Sequence, residues 1–181
     1  TFKAEVSFKG EHIITKERVI DWDNEQFSII IPEDKRYLWD TENPNLYDIE
    51  FTLGEDRVTS YFGLRDIALR NGVTYLNGKP IFCHGLLDQG YWSDGIFTPA
   101  TPEMFIKDIE TVKSLGFNML RKHIKIEPEC FYYYCDLHGM LVMQDFVNNG
   151  QYDFIRDTVI PTLKIKDKDL EEYWNFILKY I

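Results

Sequence analysis

Apolar residues recur at every second position near the start of the chain and at helical spacing further on, and this change of period divides it in two. Phe2, Ala4, Val6 and Phe8 alternate with Lys3, Glu5, Ser7 and Lys9 before Gly10 breaks the run. Alternation puts successive side chains on opposite faces, so this stretch predicts a strand with one buried face. Residues 26–31, 47–53 and 58–62 predict further strands, and residues 1–65 together read as a β-sandwich. Between two of these runs lies LWDTENPNLY, where Pro44 and its polar neighbours signal a loop. Trp39, Leu46 and Tyr47 are expected to clamp that loop onto the sandwich.

The stretch LRNGVTYLNGKPIF carries Asn71-Gly72 and Asn77-Gly78, each between short apolar or β-branched runs. Asn and Gly tolerate the positive φ that tight hairpins demand, so a small β-ribbon is expected here. Residues 81–87 then predict a strand. A helix follows, with the Thr101 hydroxyl as N-cap, Pro102 in its first turn, Glu103 beside the positive dipole end, and Phe105, Ile109, Val112 and Leu115 on one face. Gly116 stops it. Residues 117–121 predict a second strand, 128–138 a helix closed by Gly139, and 140–144 a third strand. Leu170, Trp174, Ile177, Leu178 and Ile181 give the end of the chain an apolar helical stripe. Strands alternating with helices imply a parallel sheet covered by helices, as in a (β/α)8 barrel or a doubly wound sheet. Three strands do not close a barrel of eight, so residues 66–181, hairpins included, are expected to hold the first part of an incomplete one.

Composition narrows the partners. The chain has 181 residues, and 30 acidic against 20 basic side chains give a formal net charge of -10, which argues against nucleic acid and anionic membrane as partners. An aromatic content of 15% suits a thick core or a surface that stacks sugar rings. Cys83, Cys130 and Cys135 form no disulfide framework and read as small buried hydrophobes. No apolar run approaches the roughly 18 residues of a membrane span. The opening TFKAEVSFKG alternates like a strand and not like a signal peptide, so the chain reads as a soluble piece of something longer whose compartment is open.

The stretch GFNMLRKHIKIEPE gathers Arg121, Lys122, His123 and Lys125 where the second strand of the β/α half runs out, in a chain that is acidic overall. Together with LWDTENPNLYDIEF, YFGLR, LNGKPIFCHGLLDQGYW and CDLHGMLVMQD it resembles, in order and spacing, glycoside hydrolase family two, the β-galactosidases, β-glucuronidases and β-mannosidases. The resemblance runs from about Trp39 to Asp145. It implies an immunoglobulin-like β-sandwich followed by a (β/α)8 barrel, in a multidomain enzyme that cleaves β-glycosidic bonds with retention and needs no cofactor or metal for that step. Its partner would be a β-linked sugar or oligosaccharide. Such chemistry uses two carboxylates about 5 to 5.5 Å apart. The family's acid/base Glu follows the fourth barrel strand and its nucleophile the seventh, so this chain is expected to contain neither and to be inert alone. Glu127 and Glu129 lie at a helix start, where a carboxylate accepting amide hydrogen bonds is the simpler reading.

The C-terminal ends of barrel strands form the active face. Asn118, Met119, Leu120 and Arg121 match a family motif, and the resemblance gives Arg121 the place of an active-site Arg that favours an ionised nucleophile. Asp88 and Asp145 end the first and third barrel strands and are expected on the same side, touching sugar or Arg121. His123 is a further candidate for sugar contact; Lys122 and Lys125 are expected to be solvated or to bridge loops. Tyr91 and Trp92 stand just past the first strand as an aromatic platform, or else pack their loop. His84 occupies a place where many family members have Arg, and its role is open. The family's better known members follow the Arg with two small residues and His-Tyr-Pro, so RKHIK withholds their sugar specificity. A rival reading is a non-catalytic carbohydrate-binding or structural module. A nucleotide-binding sheet lacks its Gly-rich phosphate loop. Open sheet edges in the piece predict self-association.

Overall fold

The structure, a computed structural model, describes residues 1–20 and 28–145. The stripe from Leu170 to Ile181 lies outside the described residues. The first half holds a four-stranded antiparallel sheet of order β2-β1-β3-β4, formed by β1 (Phe2–Phe8), β2 (Glu11–Arg18), β3 (Tyr47–Leu53) and β4 (Asp56–Phe62). Val6 pairs with Ile49 and Ala4 with Phe51, so the apolar positions of neighbouring strands share one face. There Ala4, Val6, Phe8, Tyr47 and Ile49 are buried with Ile31. Glu5, Glu50 and Thr59 share the opposite face.

Two expectations are corrected in this half. The strand β2 was not foreseen. It turns back from β1 through Lys9 and Gly10 at φ 51° and 81°, and the register shift at Val6/Ser7 upsets its alternation. That bulge leaves both Ile13 and Ile14 against the core. Conversely, of the strand expected over 26–31, residues 26 and 27 lie outside the described residues and Ser28 to Ile31 form no strand, although Ile31 is buried.

The ribbon is as expected: β5 (Ile67–Arg70), β6 (Val73–Leu76) and β7 (Lys79–Pro80) form a separate antiparallel sheet. Asn71, Gly72, Asn77 and Gly78 all have φ between 50° and 77°, as two-residue hairpin turns require. Beyond it β8 (Gly85–Asp88), α1 (Glu103–Ser114), β9 (Met119–Lys122), α2 (Glu129–His138) and β10 (Leu141–Gln144) alternate, and the strands form a parallel sheet of order β10-β9-β8. The fold class is thus an immunoglobulin-like β-sandwich followed by the first part of a (β/α)8 barrel. Phe105, Ile109 and Val112 of α1, Leu120 of β9, and Phe131 and Cys135 of α2 form the core of the second half. Each fully buried aliphatic or aromatic side chain contributes about 1.5 to 3 kcal/mol. Burial pushes the Cys135 thiol well above its ordinary range, and all three cysteines are free, which fits an inert packing role for Cys135. Thr101 does not cap the α1 amides; its hydroxyl bonds the Glu103 carboxylate and lowers that group's pKa. Among the described residues no helix is long and apolar enough to cross a membrane.

Trp39 is fully buried, but it clamps more than its own loop. Its indole N–H donates to the Asp136 carbonyl at the end of α2 at 2.7 Å, and the Arg65 guanidinium lies 4.5 Å from its ring. Arg65 and Tyr61 also reach the Asp136 carboxylate, at 2.5 and 3.2 Å. Lys113 donates to the Thr41 and His138 carbonyls. Gly139 closes α2 at φ 71°, and a Cβ there would stand 2.5 Å from the Thr41 carbonyl oxygen. The sandwich and the barrel segment are therefore joined through the C-terminus of α2. Tyr47 serves the sandwich alone: it stacks on Phe62, donates to the Lys35 carbonyl and accepts from the Tyr37 amide.

Candidate active-face site

The site is built by strand alternation. In the parallel ladder Leu87, Arg121 and Met143 are in register, as are Asp88, Lys122 and Gln144 one step on. Leu120 and Lys122 face the helices and are buried. Arg121, between them in sequence, points to the opposite side, where Leu87 and Met143 are half exposed.

On that open side the Arg121 Nε donates to Asp145 Oδ1 at 3.0 Å. Asp145 follows β10 directly, and its amide donates to the Lys122 carbonyl, so the ladder itself fixes where its carboxylate starts. The Arg121 side chain is 53% exposed and that of Asp145 20%. A guanidinium in this state keeps further N–H donors available to an anion or a hydroxyl.

The helix side holds a denser arrangement. The fully buried Lys122 ammonium lies 2.8 Å from Asp88 Oδ2 and 2.7 Å from Glu127 Oε1, with the Phe131 ring at 4.9 Å. Lys125 reaches the same Glu127 oxygen at 2.9 Å. Glu127 Oε2 and Trp92 Nε1 are buried without a hydrogen-bond partner among the described residues. The Tyr132 hydroxyl accepts from the Glu127 amide and donates to Gln144 Oε1; Gln144 Nε2 in turn donates to the carbonyls of Lys125 and Asp145. Burial raises the pKa of Tyr132. Partial desolvation, and after it the Asp88 charge, raises that of Asp108 on the exposed side of α1.

Two expectations about the basic stretch are thereby corrected. Lys122 is not solvated: alternation turns it inward, and two carboxylates make that burial tolerable. Glu127 caps no helix amide either, since α2 begins after Pro128 without a side-chain cap and the carboxylate is taken by two lysines. Lys125 does bridge loops, donating to the Gly90 and Phe97 carbonyls.

The structure thus brings Arg121 and Asp145 together, while Asp88 sits with Lys122 and accepts the Gly90 amide at 2.7 Å. His123 is half-buried and donates its backbone N–H to the Asp88 carbonyl. Trp92 packs edge-on against Phe105 with centroids 5.5 Å apart, and the exposed aromatic surface of its loop is Tyr91 beside Phe97. His84 lies at the other end of the sheet: it stacks on Phe117, and its ring nitrogen is 3.0 Å from the Gly116 carbonyl. Asn118 knots the same end by bonding the Phe82 carbonyl and the His84 amide. The Lys122–Glu127 pair was missed because two lysines and a glutamate within six residues read equally well as a solvated turn. The signal was the alternation itself, which puts position 122 on the side of Leu120.

Residues 3–65 match the family model of Glycosyl hydrolases family 2. The chain belongs to that family. It is 29% identical over 137 residues to a β-galactosidase of Staphylococcus xylosus, covering 76% of this chain and 13% of that protein. It is 31% identical over 151 residues to β-galactosidase 2 of Enterobacter cloacae, covering 78% and 14%. A solved structure of a Faecalibacterium prausnitzii β-glucuronidase superposes with a TM-score of 0.71 at 22% identity, covering 99% of this chain and 35% of that one, and so shares the fold. The chain spans about a seventh of the length of the two β-galactosidases. For this family 2 segment, among the described residues no group of His, Cys, Asp or Glu is arranged to hold a metal ion.

Proposed function

We propose that the full-length protein is a retaining β-glycoside hydrolase, β-galactosidase-like, acting on the O-glycosyl bond of a β-linked sugar or oligosaccharide. Residues 1–65 would form its immunoglobulin-like domain and 66–181 the hairpins and the N-terminal part of its barrel. The observation that carries this is the Arg121–Asp145 pair on the open side of a parallel sheet, at the strand ends where barrel enzymes place their chemistry. There Arg121 holds a nucleophile carboxylate ionised and Asp145 accepts from a sugar hydroxyl, with His123 at the same rim. Asp88 contributes from behind, through Lys122. Trp92 anchors its loop, and Tyr91 is the ring left free to lie against a pyranose. The β-galactosidase relatives support the sugar class.

The test is hydrolysis of a panel of aryl β-glycosides by the full-length protein, with the first-formed anomer followed by NMR. Turnover with the β-anomer appearing first is expected; no turnover on any β-glycoside would remove the assignment. The isolated 181-residue chain, without the two catalytic glutamates, is expected to show none. It is also expected to self-associate, because the open sheet face exposes Leu87 and Met143. A purely monomeric sedimentation profile at high concentration would contradict that.

A further inference from the structure

The segment from Gly90 to Phe97 is a small hairpin. Trp92 and Ile96 exchange both backbone hydrogen bonds, each at 2.9 Å, and the Trp92 ring is driven into the core against Phe105. Its two feet converge on one side chain: the Lys125 ammonium donates to the Gly90 carbonyl at 2.8 Å and to the Phe97 carbonyl. Two carbonyl dipoles do not by themselves hold an ammonium away from water. Glu127 supplies the countercharge at 2.9 Å and is itself held by the fully buried Lys122. Gly90 is fitted to this arrangement. It has φ 68°, and a Cβ there would collide with Glu127 Oε1 and stand 2.8 Å from the Nζ atoms of both lysines. The backbone thus passes directly over the charge cluster with no room for a side chain.

We propose that Lys125, charge-balanced by Glu127, is a positioning residue that clamps both feet of the 90–97 hairpin and so fixes the wall beside the strand-end site. What the clamp presents is Tyr91 and Phe97, both more than half exposed with ring centroids 5.5 Å apart, on the loop that leaves the first barrel strand. The wall's bearing on substrate rests on the function proposed above. The clamp does not, and it is measurable without turnover.

The test uses the full-length protein and Lys125→Met, which keeps the length of the stem and removes the charge and its donors. Lys125 is 20% exposed, so the variant is expected to fold. Hydrogen exchange at the amides of Trp92 and Ile96 is expected to quicken about tenfold or more, the loss of a charge-assisted hydrogen bond at each foot, while exchange in β9 changes less than about threefold. Lys125→Arg, which keeps charge and donors, is expected to retain most of the protection. On β-glycosides, Lys125→Met is expected to raise KM about fivefold or more with kcat within about twofold, as for loss of uniform binding. Unchanged hairpin exchange, or exchange quickened equally across the barrel segment, would overturn the clamp. A fall in kcat at unchanged KM would overturn its positioning role. If the protein cleaves no β-glycoside, the hydrolase reading fails while the exchange result still decides the clamp.

Discussion

Replacing Lys122 by Met removes the central cation of the buried cluster and leaves its apolar stem against Phe131. Breaking a buried pair by deleting one partner costs about 3 to 5 kcal/mol, because the remaining charge is stranded. Here the lower end applies. Glu127 keeps Lys125 at 2.9 Å, and Asp88 is 20% exposed and accepts the Gly90 amide. A loss of about 3 kcal/mol corresponds to roughly a hundredfold faster exchange of the central-strand amides of β9, at about 1.4 kcal/mol per tenfold. The assay is hydrogen exchange of the full-length protein under conditions where exchange reports opening equilibria, comparing wild type, Lys122→Met and Lys122→Met/Glu127→Gln. The double variant is expected to recover part of the loss, since the stranded carboxylate becomes a neutral amide. Less than about a fivefold change in the single variant would show that Lys122 is effectively solvated, and a double variant worse than the single would refute the stranded-charge reasoning.

Asp108→Asn is expected to stabilise the protein at pH 7: the folded pKa is raised, so the contribution of this carboxyl is fully present below its unfolded value of 3.8 and lost as pH rises through the folded one. The gain should shrink as pH falls toward 3.8 in urea unfolding series; a gain independent of pH would contradict it. Trp39→Phe deletes the donor to the part-buried Asp136 carbonyl at the junction and is expected to cost about 1 to 3 kcal/mol in urea unfolding, with no loss refuting the role of Trp39 as the tie between the two halves. Gly139→Ala forces a Cβ into the left-handed region and against the Thr41 carbonyl, and is expected to cost more than about 1 kcal/mol by the same measurement; a neutral outcome would mean that the junction yields easily.

The regular elements were legible where local rules govern. Alternation in Phe2–Phe8 and Tyr47–Leu53, the two Asn-Gly turns, and the Gly139 stop each follow from residues within a few positions. The β2 strand was hidden because its polar sequence, EHIITKER, carries no clean period once a bulge shifts its partner. At the site, strand order and parity predict that Arg121 and Asp145 share the open rim. Asp88, expected on the same side, falls instead on the helix side because its register partner is Lys122, and that register is not readable from the sequence. The inward turn of Trp92 was equally illegible: Tyr91 and Trp92 are adjacent aromatics, and the packing of Phe105 from α1 decides which of them leans on the core.

The measurement that tests the central claim most directly is kcat/KM of the full-length protein and its Arg121→Ala variant on aryl β-glycosides, with urea unfolding run in parallel. Because the Arg121 side chain is half exposed and bonded to Asp145 on the open side, the variant is expected to lose kcat/KM by at least about tenfold, the worth of one charge-assisted hydrogen bond at the reacting centre, and less than about 1 kcal/mol of stability. An unchanged kcat/KM accompanied by a large loss of stability would contradict the account and make Arg121 a structural residue.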